Sequence, residues 1–146
     1  MIHRLDRAIL VILSALVGLS ALIPGWTMAT SGTVGGYRLP SDWLSSAAPF
    51  GDYLVPGLIL LVVIGIGGLL TTVLNLLAPR LGPIAALLYG VVLVGWIAGE
   101  LVFMTQTMVL TWVILGAGLL LVALAAPEAV PPLRARFGRG GRRQAG

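Results

Sequence analysis

Three observations predict an all-α, polytopic membrane protein of four transmembrane helices packed as a bundle. Apolar residues make up 58% of the 146-residue chain and charged residues only 10%, against roughly a quarter charged in soluble domains. The apolar residues gather into four runs, at about 6–24, 54–77, 83–104 and 108–126, each close to the ~20 residues needed to cross a hydrocarbon core about 30 Å thick. Finally, all nine basic residues are arginine, and four spans would put eight of them on one side against Arg38 alone on the other.

The first run follows a polar start with His3, Arg4 and Arg7. Ala8 to Ile23 carries no charge, and Pro24-Gly25 is expected to end the helix. A cleaved signal peptide is the alternative, with small residues at Thr27-Met28-Ala29 as its processing site. Retention is favoured because Leu5 to Trp26 reaches spanning length and the rest of the chain is itself membrane-embedded.

Residues 27–53 form the long hydrophilic connection, rich in Gly, Ser and Thr and carrying Arg38, Asp42 and Asp52. Tyr37, Trp43, Phe50 and Tyr53 suit the headgroup level, so Ser41 to Ala48 is expected as a short surface helix capped by Ser41. The competing reading is a plain tether.

The second run, Leu54 to Leu77, is uncharged, with Pro56 in its first turn, where a missing N–H costs nothing. Gly65, Gly67 and Gly68 are expected to admit a close helix neighbour, and Thr71, Thr72 and Asn75 to hydrogen-bond across to it. Ala78 to Gly82 is a tight turn and Pro83 opens the third helix. Thr105-Gln106-Thr107 is read as a hairpin, because an unbroken helix from 83 to 126 would be about 66 Å long, twice the membrane. Pro127, Pro131 and Pro132 are expected to end the fourth helix, which closes the membrane domain at 133. The remainder, 134–146, holds Arg134, Arg136, Arg139, Arg142 and Arg143 among glycines, and is expected to stay unfolded. The five arginines either bind anionic lipid headgroups, at about 1 kcal/mol each, or only fix topology; no nucleic-acid partner is expected.

Glu100 is the residue of greatest interest, a carboxylate within the third run. An acidic group costs roughly 2.5 to 3.5 kcal/mol at a helix centre. Glu100 lies about 25 Å along the helix from Pro83, one turn short of the edge, so only part of that cost applies. Tyr89, Leu93, Trp96, Glu100 and Met104 form one stripe, while Gly95 and Gly99 offer an approach for another helix on an adjacent face. The bland reading is a snorkelling glutamate, and Arg38 is the one basic residue expected at a similar depth. The sharper reading is a substrate, proton or ion site.

The positive-inside rule places both termini and the 78–82 turn in the cytoplasm of a plasma (inner) membrane protein, with the 27–53 loop and Glu100 outward. The chain has no Cys and no Lys, and its sole histidine is His3. No nucleophile with a base and no ligand cluster can be assembled, so no catalysis, metal or cofactor is expected. The expected role is a non-enzymatic accessory or interaction protein with an extracytoplasmic loop. Beyond the bilayer, its partner would be another membrane protein or a second copy. The alternative is a small transporter or channel subunit using Glu100.

The junction Pro49-Phe50-Gly51-Asp52-Tyr53-Leu54-Val55-Pro56-Gly57-Leu58-Ile59-Leu60, with the later Gly95-Trp96-Ile97 before a polar residue at 100, resembles uncharacterised small four-helix integral membrane proteins of high-GC, actinobacterial-type bacteria. The resemblance covers roughly residues 50 to 115 and implies a fold and a membrane location, with no activity attached. It also implies that Phe50, Asp52 and Pro56-Gly57 form a fixed start to the second helix, with the Asp52 carboxylate near its N-terminus.

Overall fold

The computed structural model describes residues 2–46, 48–49 and 51–141. Four helices dominate it: α1 (Ile2–Ser31), α2 (Leu54–Leu77), α3 (Gly82–Phe103) and α4 (Val109–Gly141). Each contains a stretch long and apolar enough to cross a membrane, and they pack against one another as an all-α bundle. The chain is an integral, multi-pass membrane protein. Ile12, Leu16, Leu70, Leu88, Val91 and Leu119 are among the large apolar side chains left exposed around it, as a lipid-facing surface requires.

Two helices outrun the boundaries that their prolines suggested. α1 continues through Pro24 to Ser31, and Gly32, at φ 62°, closes it with its N–H on Met28 O at 3.1 Å, a left-handed C-terminal stop. Packing explains the extension, because Gly25 and Ala29, both beyond Pro24, lie against Leu61 and Gly57 of α2. The long connection therefore begins at 32. In α4, Pro127, Pro131 and Pro132 do not end the helix, which runs to Gly141. Leu121, Ala125 and Ala129 are fully buried on both sides of Pro127, and such contacts sustain a helix across a missing donor. Residues 134–141, expected to be unfolded, are thus helical, with Arg134 exposed; Arg142 and Arg143 lie outside the described residues.

α2 is composite: α-helical over Leu54–Ile59, π-helical over Leu60–Ile66 and α-helical again over Gly67–Leu77. Its contact with α1 is made backbone to backbone. A Cβ at Gly18 would stand 3.0 Å from Gly65 O and Leu69 N, and one at Gly68 would stand 2.7 Å from Gly18 Cα. Small residues at such a seam provide the dispersion contact that holds helices together in lipid. Tyr89 of α3 lies over the shelf left by Gly67 and Gly68 and donates its hydroxyl to Ile64 O at 2.7 Å. α3 and α4 meet through Gly90 and Gly118, where a Cβ at Gly90 would be 3.0 Å from Gly118 O. Gly95 and Gly99, expected to receive a helix, have nothing within 4 Å of a built Cβ. Close α3–α4 contact uses the face of Gly90 and Leu93 instead.

At the end nearest the termini, Arg7 reaches from α1 to the last turn of α2. Its Nε donates to Asn75 O at 2.7 Å and its Nη2 to Leu76 O at 3.0 Å. A cation at a helix C-terminus satisfies orphan carbonyls and opposes the dipole.

Candidate functional site

The site lies at the opposite end, where the α1–α2 and α3–α4 connections converge. Gly35 and Gly36, at φ 58° and 84°, turn a two-residue hairpin that pairs β1 (Thr33–Val34) with β2 (Tyr37–Arg38), the geometry that a Gly-Gly turn provides. The chain then makes a short 3₁₀ turn, Ser41–Trp43, entered from Pro40 with no side-chain cap. It replaces the expected helix over 41–48, because Leu44 bridges instead to Met104 in the α3–α4 connection. Ser45 N–H donates to Phe103 O at 2.8 Å and Thr105 N–H to Trp43 O at 2.9 Å, joined by the Thr105 hydroxyl to Trp43 O at 3.2 Å. Tyr53 ties the strap down from the other side, its hydroxyl 2.6 Å from Pro40 O. Burial first, and the nearby Asp42 carboxylate second, raise the pKa of that phenol above its ordinary value, so it keeps the proton it donates.

Beneath this strap is a cavity of about 120 Å³ between α1, α2, α3 and α4. The strap contributes Trp43, the α3–α4 connection Met104 and Gln106, α1 Met28 and Ser20, and α3 Trp96 and Glu100. Ser20 is eleven residues before the end of α1, so the cavity reaches about 16 Å down that helix. Ile64, Leu93 and Leu121, all at zero exposure, belong to the core below it.

Glu100 is half-buried in the cavity wall, and its Oε1 accepts a 2.7 Å hydrogen bond from the hydroxyl of Thr111, itself buried. This partner comes from α4, not from the loop. The expected neighbour Arg38 does not line the cavity; it is exposed and borders a separate groove with Asp52. Asp52 accepts the Leu54 N–H at 3.1 Å, pairing the first free N–H of α2 from one position before its cap residue, Tyr53. Phe50, implied as part of the same junction, lies outside the described residues, while Pro56 and Gly57 are buried there. The stripe expected on α3 is real in its burial: Tyr89 and Leu93 enter the core, and Trp96, Glu100 and Met104 reach the cavity.

The polar groups at the other end of α2 mostly serve packing. Thr72 meets Ser14 of α1 at 2.9 Å, whereas Thr71 bonds back to Gly67 O and Asn75 Nδ2 to Thr71 O within the helix. Among the described residues, no cluster of three or more His, Cys, Asp or Glu is placed to hold a metal.

Trp43, Met28, Tyr53 and Thr111 had no part in the site as read from sequence. For Thr111 a signal existed: folding the chain about 105–106 sets 100 opposite 111. Trp43 and Met28 are brought in by the strap and by the extension of α1 past Pro24, which hydropathy does not reveal.

The chain matches no protein-family model, no curated protein and no solved structure.

Proposed function

We propose that the chain is a non-enzymatic accessory or interaction protein of the plasma membrane, with both termini cytoplasmic and the strapped end extracytoplasmic, where it presents a recognition surface. The observation that carries this reading is the strap. The Ser45 N–H on Phe103 O and the Thr105 N–H on Trp43 O tie residues 43–45 to the α3–α4 connection, which a tether between helices does not need. The orientation draws on the arginines, eight of nine falling to the side of the termini. The likeness of the 49–60 junction to four-helix proteins of high-GC bacteria is offered as kinship on the same footing. The transporter reading rests on Glu100, yet the fully buried Ile64, Leu93 and Leu121 lie below the cavity, so a binding pocket fits better than a conduit.

Two measurements test the proposal together. A reporter active only in the cytoplasm should work when fused after Gly146 and fail when inserted at Gly35; the reverse pattern overturns the orientation. A photo-crosslinking residue at Tyr37, the 81% exposed tip of the hairpin, should give a discrete protein adduct in intact cells, with either another membrane protein or a second copy. Lipid adducts alone would remove the interaction reading.

A further inference from the structure

We infer that the cavity beneath the strap binds an organic ammonium group carrying a small apolar body. This specifies a ligand that the proposed recognition role does not itself require. The argument starts from charge. Glu100 places the one carboxylate in a wall made mostly of apolar, aromatic and thioether groups, whose other polar members, Ser20, Gln106 and Thr111, are neutral, and the hydrogen bond described for it comes from the Thr111 hydroxyl. No arginine lines the cavity among the described residues. A half-buried carboxylate in a mostly apolar wall is stabilised by a nearby cation, and none of the described residues lining the cavity supplies one. The complement must come from outside.

The rest of the wall selects what kind of cation. A metal ion needs several oxygen ligands converging on one point, and no cluster of three or more His, Cys, Asp or Glu is placed to hold one among the described residues; the wall is mostly Trp43, Trp96, Tyr53 and the thioethers Met28, Met104 and Met108. Indole faces attract ammonium groups, most strongly when water is excluded. Methionine side chains are polarizable and adapt to irregular apolar shapes. A space of about 120 Å³ is similar to cavities that admit a single benzene-sized molecule. One charge and one ring or short alkyl group describe the ligand. The same ammonium chemistry exists in free amphiphilic amines and in the headgroup of an aminophospholipid from the outer leaflet.

The test uses the full chain in an uncharged detergent, with benzylammonium as probe and benzyl alcohol as its uncharged counterpart of similar shape, followed by tryptophan fluorescence and calorimetry. Benzylammonium is expected to bind, and benzyl alcohol to bind roughly tenfold or more weakly, the worth of one charged contact. Glu100→Gln, which keeps the acceptor for Thr111, should remove the preference for the cation while the melting temperature stays near wild type. Arg38→Gln, outside the cavity, should leave binding unchanged. Repeating the titration in nanodiscs with and without phosphatidylethanolamine assigns the source: competition by that lipid supports a headgroup ligand, and no competition supports a free amine. Equal binding of the two probes, or a cation preference that survives Glu100→Gln, overturns the inference. The proposed interaction role fails on a different observation, the absence of a protein adduct at Tyr37.

Discussion

Replacing Gly25 by alanine adds a single methyl group where α1 and α2 touch through their backbones. A Cβ at this position stands 2.6 Å from Leu61 N and 2.8 Å from Leu61 Cα, while ordinary contact begins at 3.4 Å. Backbone atoms have no rotamer by which to yield, so the two helices must part by about 1 Å locally, a gap that forfeits a quarter to a half of each neighbouring contact's attraction. Overpacking of this kind costs about 1 to 3 kcal/mol. Alanine returns about 1 kcal/mol through its higher helix propensity, which leaves a net loss of about 0 to 2 kcal/mol. Gly95→Ala provides the control, because nothing lies within 4 Å of its built Cβ and only the propensity gain applies. Unfolding of the full chain in mixed micelles, titrated with sodium dodecyl sulfate and followed by circular dichroism, should separate the two variants by about 2 kcal/mol. Equal midpoints would refute the close approach of α1 and α2.

Tyr89→Phe removes the 2.7 Å bond to Ile64 O and should cost about 0.6 to 1.7 kcal/mol in the same assay; an unchanged midpoint would mean that the hydroxyl is not paired there. Because the chain has no cysteine, Leu44→Cys with Met104→Cys tests the strap. These residues form an antiparallel bridge, a pairing whose Cα separation suits a disulfide, so the double variant should cross-link rapidly on mild oxidation, and persistent free thiols would show that the strap stands open. A peptide of residues 134–146 should bind vesicles containing anionic lipid and release as salt rises, since the attraction is screened within ~10 Å at 0.1 M; binding indifferent to lipid charge would count against a lipid-contacting tail.

The four spans were legible because hydropathy measures what the bilayer itself selects, and the 105–107 hairpin followed from length alone. Prolines misled. Pro24 and Pro127 each remove a helix donor, but whether the helix stops depends on what packs beyond them, Gly25 and Ala29 in one case and Ala129 in the other. Glycines divided in the same way: Gly65 and Gly68 lie at a seam while Gly95 and Gly99 face open space, and no local pattern separates a glycine that meets a helix from one that does not. Glu100 was found by its chemistry, but its surroundings come from segments far apart in sequence. A partner such as Arg38 guessed from depth ignores the azimuth around the bundle, which only the packed helices decide.

The π-helical turn at Leu60–Ile66 has a bearing on how this chain can vary in length. A π turn is an α-helix holding one surplus residue, each N–H reaching back five positions instead of four. Loss of one residue inside 60–66 would let the turn tighten to α-helix, leaving Gly57 above and Gly68 below still aligned with Ala29 and Gly18. Loss of a residue at 69–71, in the α-helical part, would instead rotate Thr72 by about 100° away from Ser14, its partner on α1. Single-residue deletions in the second span are therefore expected to be tolerated at one height in the membrane, beside the floor of the cavity, and to disturb the α1–α2 contact in the α-helical stretch that follows it.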